Sequence, residues 1–288
     1  MFENYLASNK DFKAIEEGLR VVWAKEMNFV FRKKGLIKKV TVISYDSQNL
    51  YFWSTSKISQ LKELPCSFKK YKLFKKPHKT NVIDRMQKGW RAGINWKYFK
   101  LPKNFRNWYK NPVISGGLMT PFTKIHEKIE KASKSLNPYK SYESYLATIV
   151  HEFGHTYYNL HQPWWFSDKR ENLNYLKKAQ LIYKKVKVDL KKIKIEIPTP
   201  FFLSEVFAFC TDYYAASVFW PNHKKNIDII NTKRIAKLIS LEKRKNLDIQ
   251  DSVLGNKIIH NTAAVLGILL LHLYPKTWPQ RILNKFIL

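Results

Sequence analysis

The stretch YESYLATIVHEFGHTYYNL, residues 142–160, decides most of what this chain is. Tyr142, Leu146, Ile149, Val150, Phe153, Tyr157 and Leu160 fall at i, i+4, i+7, i+8, i+11, i+15 and i+18, the repeat of one helix face. Ser141 stands where an N-cap belongs. The spacing predicts a buried helix, and on it His151, Glu152 and His155 form the pattern HExxH. The chain has 8 His and 13 Glu, so a shuffled sequence of this composition would show that pattern with a probability of roughly 1%. Two imidazoles at i and i+4 project from one face about a turn apart, a spacing that suits one zinc ion, with Glu152 beside them to accept a proton from water. A second cluster, His126-Glu127-Lys128-Ile129-Glu130, lies in KIHEKIEKASK, the pattern of a solvated charged helix, and is set aside.

Working outward, DFKAIEEGLRVVWAKEMNFVFR (11–32) carries apolar residues at helical spacing, and KKVTVISYD (38–46) reads as a strand. Residues 61–110 hold 15 Lys+Arg against 2 acids, interleaved with ten aromatics that include Trp90, Trp96 and Trp108. Cations there can track phosphates while rings stack on bases, so this is the candidate segment for nucleic acid or another polyanion. The plain alternative is a solvated basic face over aromatic core residues. NPVISGGLMTPF (111–122) looks like a short strand broken by Gly116 and Gly117.

Downstream, the pattern predicts a basic amphipathic helix of about 25 residues from Ser167, then KIKIEI and the cap pair Thr199-Pro200. A second buried helix runs to Trp220 and is stopped by Pro221, and two or three more helices follow. The most apolar is IIHNTAAVLGILLLHLY, whose longest apolar stretch falls well short of the roughly 20 residues of a membrane span.

The chain has 288 residues, 45% hydrophobic and 15% aromatic, enough for a core and unlike a disordered composition. Its 52 Lys+Arg against 22 Asp+Glu give a formal charge of +30, which favours anionic partners. Codon bias in an AT-rich genome is the competing account of the same lysines. Cys66 and Cys210 are too few and too far apart for a disulfide framework, and both read as buried thiols in a reducing compartment. The first residues, MFENYLASNKDF, lack the apolar core of a secretory signal. The expectation is a cytoplasmic protein with no membrane span.

The His151, Glu152, His155 pattern resembles the zincin metallopeptidases, in which a small sheet with a substrate-binding edge strand precedes the HExxH helix. The resemblance implies Zn²⁺ as cofactor, a peptide or protein substrate, and Glu152 as general base. It also requires a third ligand. Glu205, in FFLSEVFAFCTDYYAA, is a carboxylate among Phe201, Phe202, Leu203, Val206, Phe207, Ala208 and Phe209, where an ionised group needs a counter-charge. This is similar to the gluzincin arrangement, with one departure. Gluzincins often place an aspartate four residues after that glutamate, and here Phe209 stands there, with Asp212 at seven. Asp212 is then a residue that orients a ligand histidine, or itself the ligand.

His161, ten residues after His151, has the spacing of the metzincin third histidine. Tyr158 replaces that group's turn glycine, Asn159 offers another way to end the helix, and no methionine follows Met119. Tyr213, Tyr157 and Tyr158 are candidate oxyanion donors. The expected fold is α+β and zincin-like: a small N-terminal mixed sheet with the HExxH helix in residues 1–162, and a mainly helical part, residues 163–288, supplying the third ligand. The rival class is a nucleic-acid-associated protein, either a protease acting on DNA-bound proteins or a non-catalytic binder with a structural zinc.

Overall fold

The computed structural model describes residues 6–46, 48–77, 113–114, 141–161, 170–172, 196–242 and 252–284. The chain divides into two compact units, Met1–Leu160 and His161–Leu288. It is a mixed α+β protein, with a small sheet in the first unit and long helices in the second.

In the first unit, helix α1 (Asn9–Val22) opens where Ser8 donates from its backbone N–H and its hydroxyl to the Asp11 carboxylate, 2.8 and 2.7 Å away. The expected continuous helix over 11–32 does not form. The chain leaves α1 at Trp23, makes one 3-10 turn at Glu26–Asn28, and buries Met27, Val30 and Phe31. Apolar side chains at helical spacing are thus satisfied by a folded-back loop, because tertiary burial outweighs propensity. A short helix α2 (Lys34–Ile37) leads into the sheet.

Strands β1 (Thr41–Tyr45), β2 (Asn49–Ser54), β3 (Lys62–Leu64) and β4 (Lys72–Pro77) form an antiparallel core in the order β3-β4-β2-β1. Strand β5 (Val113–Ile114) adds parallel to β1 at the edge, with Thr41 opposite Val113. The segment 111–122 therefore supplies an edge strand, and its two glycines lie outside the described residues. Asp46 closes the β1–β2 hairpin by accepting from the backbone N–H groups of Gln48 and Asn49 at 2.8 and 2.7 Å and from the Tyr51 hydroxyl at 2.6 Å. Every residue of β2 is buried, and Phe12 of α1 lies against the rings of Tyr51 and Trp53.

Helix α3 (Tyr142–His161) carries the HExxH pattern. Ser141 caps it as expected: its hydroxyl accepts from Ser144 N–H at 3.2 Å, while Ser144 Oγ accepts from Ser141 N–H at 3.1 Å. Tyr145, Leu146, Ile149, Val150, Phe153 and Tyr157 are buried. Helix α3 is seated on α1, where Gly18 leaves room for Ile149, and the Tyr142 hydroxyl donates to Glu17.

In the second unit, β6 (Arg170–Asn172) pairs antiparallel with β7 (Glu196–Pro198). This corrects the helix expected from Ser167, since residues 170–172 are extended and hydrogen-bonded to a strand more than twenty positions on. The rest of that expected helix lies outside the described residues. Helix α4 (Thr199–Phe219) opens at the Thr199-Pro200 pair. Pro221 ends it and begins α5 (Pro221–Glu242), followed by α6 (Ser252–Leu273) and the short α7 (Trp278–Leu283). Contacts between α4 and α6 advance together along both, Glu205 with His260 and Cys210 with Gly267, so the two helices run in the same direction. Among the described residues no helix is long and apolar enough to cross a membrane.

Candidate metal centre

Helix α3 places His151 and His155 one turn apart with their Nε2 atoms 3.1 Å from each other and the rings edge to face, centroids 4.7 Å apart. Zinc–imidazole bonds of 2.0–2.1 Å at tetrahedral angles separate two nitrogens by about 3.3 Å, so the pair fits adjacent corners of one zinc site. Both rings are half-buried, on the helix face turned away from the best-buried core positions, and so is Glu152. At about 100° per residue, Glu152 lies about 60° round the helix from His155 and on the same side of it. A carboxylate and two imidazoles thus share one half-buried arc of a helix whose residues 144–150 are buried.

The helix is continuous through His161. That geometry counts against His161 as a ligand of the same ion, because six residues at 1.5 Å rise carry it about 9 Å beyond His155. The metzincin spacing needs a chain reversal after the second histidine, and Tyr158 and Asn159 remain helical instead. Tyr157 and Tyr158 separate by the same wheel argument. Tyr158 is on the histidine side and almost fully buried, whereas Tyr157 is on the far side, its hydroxyl accepting from Lys33 N–H at 3.0 Å and its ring against Phe31. Burial raises the Tyr157 phenol above its ordinary value.

In the second unit Glu205 sits in the first third of α4, 4% exposed, next to the buried Leu203, Val206, Phe207 and Ala208. Its Oε1 is 3.2 Å from Nε2 of His260 on α6. His260 also stands edge-on to Phe209, centroids 6.4 Å apart at 90°, one turn further along α4. Helix α6 comes this close because Gly267 has no side chain: a Cβ there would lie 3.3 Å from both Cys210 N and Sγ, and the Cys210 thiol donates to Gly267 O at 3.2 Å.

His260 was not singled out from sequence. The available signal was a histidine in the first half of an apolar helix that also carries His272, and nothing local says which turn of another helix it meets. Asp212 is half-buried and, seven residues on from Glu205, stands about 10 Å further along α4, beyond reach of an ion held by Glu205. Tyr213 is engaged elsewhere. Its hydroxyl donates to Asp228 at 2.6 Å, Lys224 bonds the other Asp228 oxygen at 2.8 Å, and the Lys224 ammonium lies 5.2 Å from the Tyr213 ring centroid. Burial, then the Asp228 bond, raises the Tyr213 phenol. It reads as a lock between α4 and α5 more than as an oxyanion donor.

Cys66 is half-buried, not fully buried as expected, and Cys210 is buried; both are free thiols. Burial pushes Cys66 up to about 11 and Cys210 well above its usual value, so neither is an activated nucleophile. Of the basic segment 61–110, only 61–77 falls among the described residues, and Trp90, Trp96 and Trp108 lie outside them, as does the rejected His126 cluster. Comparison with protein-family models, with characterised proteins and with solved structures gives no match.

Proposed function

We propose that the protein is a zinc-dependent metallopeptidase of zincin type, with His151, His155 and Glu205 as zinc ligands and Glu152 as the catalytic base. The observation that carries this reading is the 3.1 Å approach of the two Nε2 atoms on α3, with a carboxylate on the same side of the helix. The donor set supports it: two imidazoles, a carboxylate and an adjacent base describe an open catalytic zinc site, whereas structural sites lean on cysteine and close the fourth position. Zinc bound there supplies a positive charge that polarises a scissile carbonyl and acidifies water.

The chain's own residues do the rest. His151 and His155 hold their nitrogens convergent because α3 is capped by Ser141 and wedged on α1. Glu152 takes the proton from the attacking water and returns it to the leaving amine. Tyr158 is on the histidine side of α3, the side from which a phenol would donate to the oxyanion, whereas Tyr157 is on the far side. The β5 edge is the place for an extended peptide to add by backbone hydrogen bonds. Two free thiols suit a reducing compartment, and we read the protein as cytoplasmic.

The experiment is metal analysis of the purified chain. About one zinc per chain is expected, lost in both His151→Ala and His155→Ala; full occupancy in both variants would end the reading.

A specific observation also favours a polyanion as partner. Trp23 carries Lys70 at 4.9 Å and Lys34 at 5.6 Å from its ring, and Lys34 is lowered by burial and by the Lys70 charge. Two ammonium groups on one half-buried indole form a patch on which a phosphate would relieve the repulsion. A protease that acts near nucleic acid uses both features. Binding of labelled single-stranded DNA that falls steeply with salt, and weakens in Lys34→Gln/Lys70→Gln, is the expected result; salt-independent binding contradicts it.

A further inference from the structure

The Glu205 carboxylate has a built partner of its own. His260 comes from a helix 55 residues downstream, and its Nε2 meets Oε1 of Glu205 at 3.2 Å. The ring is fixed on two sides, by this contact and by the edge-on Phe209. Its height along α4 is set by the Gly267–Cys210 approach, seven residues or two turns further along α6 on the same face. The alignment of the two helices therefore delivers an imidazole nitrogen to one oxygen of a carboxylate that is 4% exposed.

A carboxylate on a helix can rotate about its last side-chain bonds, and a donor on one oxygen fixes the plane in which the other presents its lone pairs. We infer that His260 is a positioning residue for the third zinc ligand: its Nε2–H holds Oε1 of Glu205 so that the carboxylate is pre-set for the ion. This deepens the proposed function and rests on it. Phe209 occupies the α4 position one turn after Glu205, and the orienting group comes instead from α6, across the helix pair.

The role is separable from packing by two substitutions with opposite content. His260→Phe keeps a ring against Phe209 and removes the donor; His260→Gln keeps an N–H donor and removes the ring. Zinc affinity is measured on the full chain by competition with a chromophoric chelator, alongside urea unfolding of the zinc-free protein. His260→Phe is expected to weaken zinc binding about 10- to 100-fold, and His260→Gln to stay close to wild type. In a Glu205→Ala background, His260→Phe should have no further effect on affinity. Wild-type affinity in His260→Phe, or a loss in His260→Gln equal to that in His260→Phe, overturns the inference while the ligand set stands. If Glu205→Ala alone leaves zinc affinity unchanged, the ligand assignment fails, and the role of His260 fails with it.

Discussion

Gly18 on α1 faces Ile149 on α3 so closely that a Cβ at position 18 would lie 2.5 Å from Ile149 Cδ1 and 3.0 Å from its Cβ. Ile149 is two residues before His151, so this contact fixes where the turn of α3 that carries His151 lies against α1 within the first unit. Gly18→Ala gains roughly 1 kcal/mol of helix propensity and meets overpacking of about 1–3 kcal/mol, with a net loss expected. Gly35→Ala, where a Cβ would meet nothing within 4 Å, is the control and should be neutral or slightly stabilising. Urea midpoints of the two variants check this; equal midpoints contradict it.

Asp46 is the hub of the β1–β2 hairpin, accepting from two loop N–H groups, from Ala7 N–H at 2.9 Å and from the Tyr51 hydroxyl. Asp46→Ala leaves those donors without an acceptor and should cost roughly 2–4 kcal/mol. Asp46→Asn keeps part of the geometry and should cost less. The order of the two thermal midpoints is the check.

The reading of residues 142–160 shows what the sequence can carry. The helix, its Ser141 cap and the convergence of His151 with His155 all follow from spacings within one turn or two, and the structure has all three. Glu205 was visible because an acid between aromatics demands a partner. The partner itself was not, since His260 meets it only through the register of α4 on α6, which Gly267 and Cys210 set. The two misread segments share one cause. Met27, Val30 and Phe31 continue a helical spacing that a folded-back loop also satisfies, and Arg170–Asn172 is a strand only because Glu196–Pro198 lies beside it.

Alkaline pH should unfold the protein progressively. Tyr51, Tyr71, Tyr142, Tyr157 and Tyr213 are all raised, each first by burial, which disfavours the phenolate. A raised folded value contributes stability that is complete below the unfolded tyrosine value of about 10 and is lost as pH rises through the folded values. Lys34 acts in the opposite sense, being lowered by burial, but it is one group against five. Urea stability should therefore fall above about pH 10, and fall less steeply in Tyr71→Phe. Stability that rises across that range contradicts the burial of these phenols.

The tie between α4 and α5 is testable on its own. Tyr213→Phe removes the hydroxyl that donates to Asp228 and should cost about 1 kcal/mol, limited by the partial exposure of the Asp228–Lys224 pair. Zinc content should be unaffected. A variant that lost zinc while staying folded would return Tyr213 to the candidate site.

The third ligand divides the accounts of the metal centre. Glu205→Ala should release zinc, while His161→Ala and Asp212→Ala retain it, because His161 is about 9 Å along α3 from His155 and Asp212 about 10 Å along α4 from Glu205. Loss on His161→Ala alone would require α3 to unwind after Tyr158. Loss on Asp212→Ala alone would make the aspartate the ligand.

The most direct test of the central claim is peptide hydrolysis by the Glu152→Gln variant, measured on the zinc-loaded chain beside wild type. The amide preserves shape and leaves the His151–His155 pair in place, but it cannot accept a proton from water. General-base assistance is worth about 10² to 10⁴ in rate. Full zinc content with hydrolysis lowered by at least 10²-fold is the predicted result. Zinc-loaded Glu152→Gln that cleaves peptides at the wild-type rate, or wild-type protein that holds zinc and cleaves none, would contradict it.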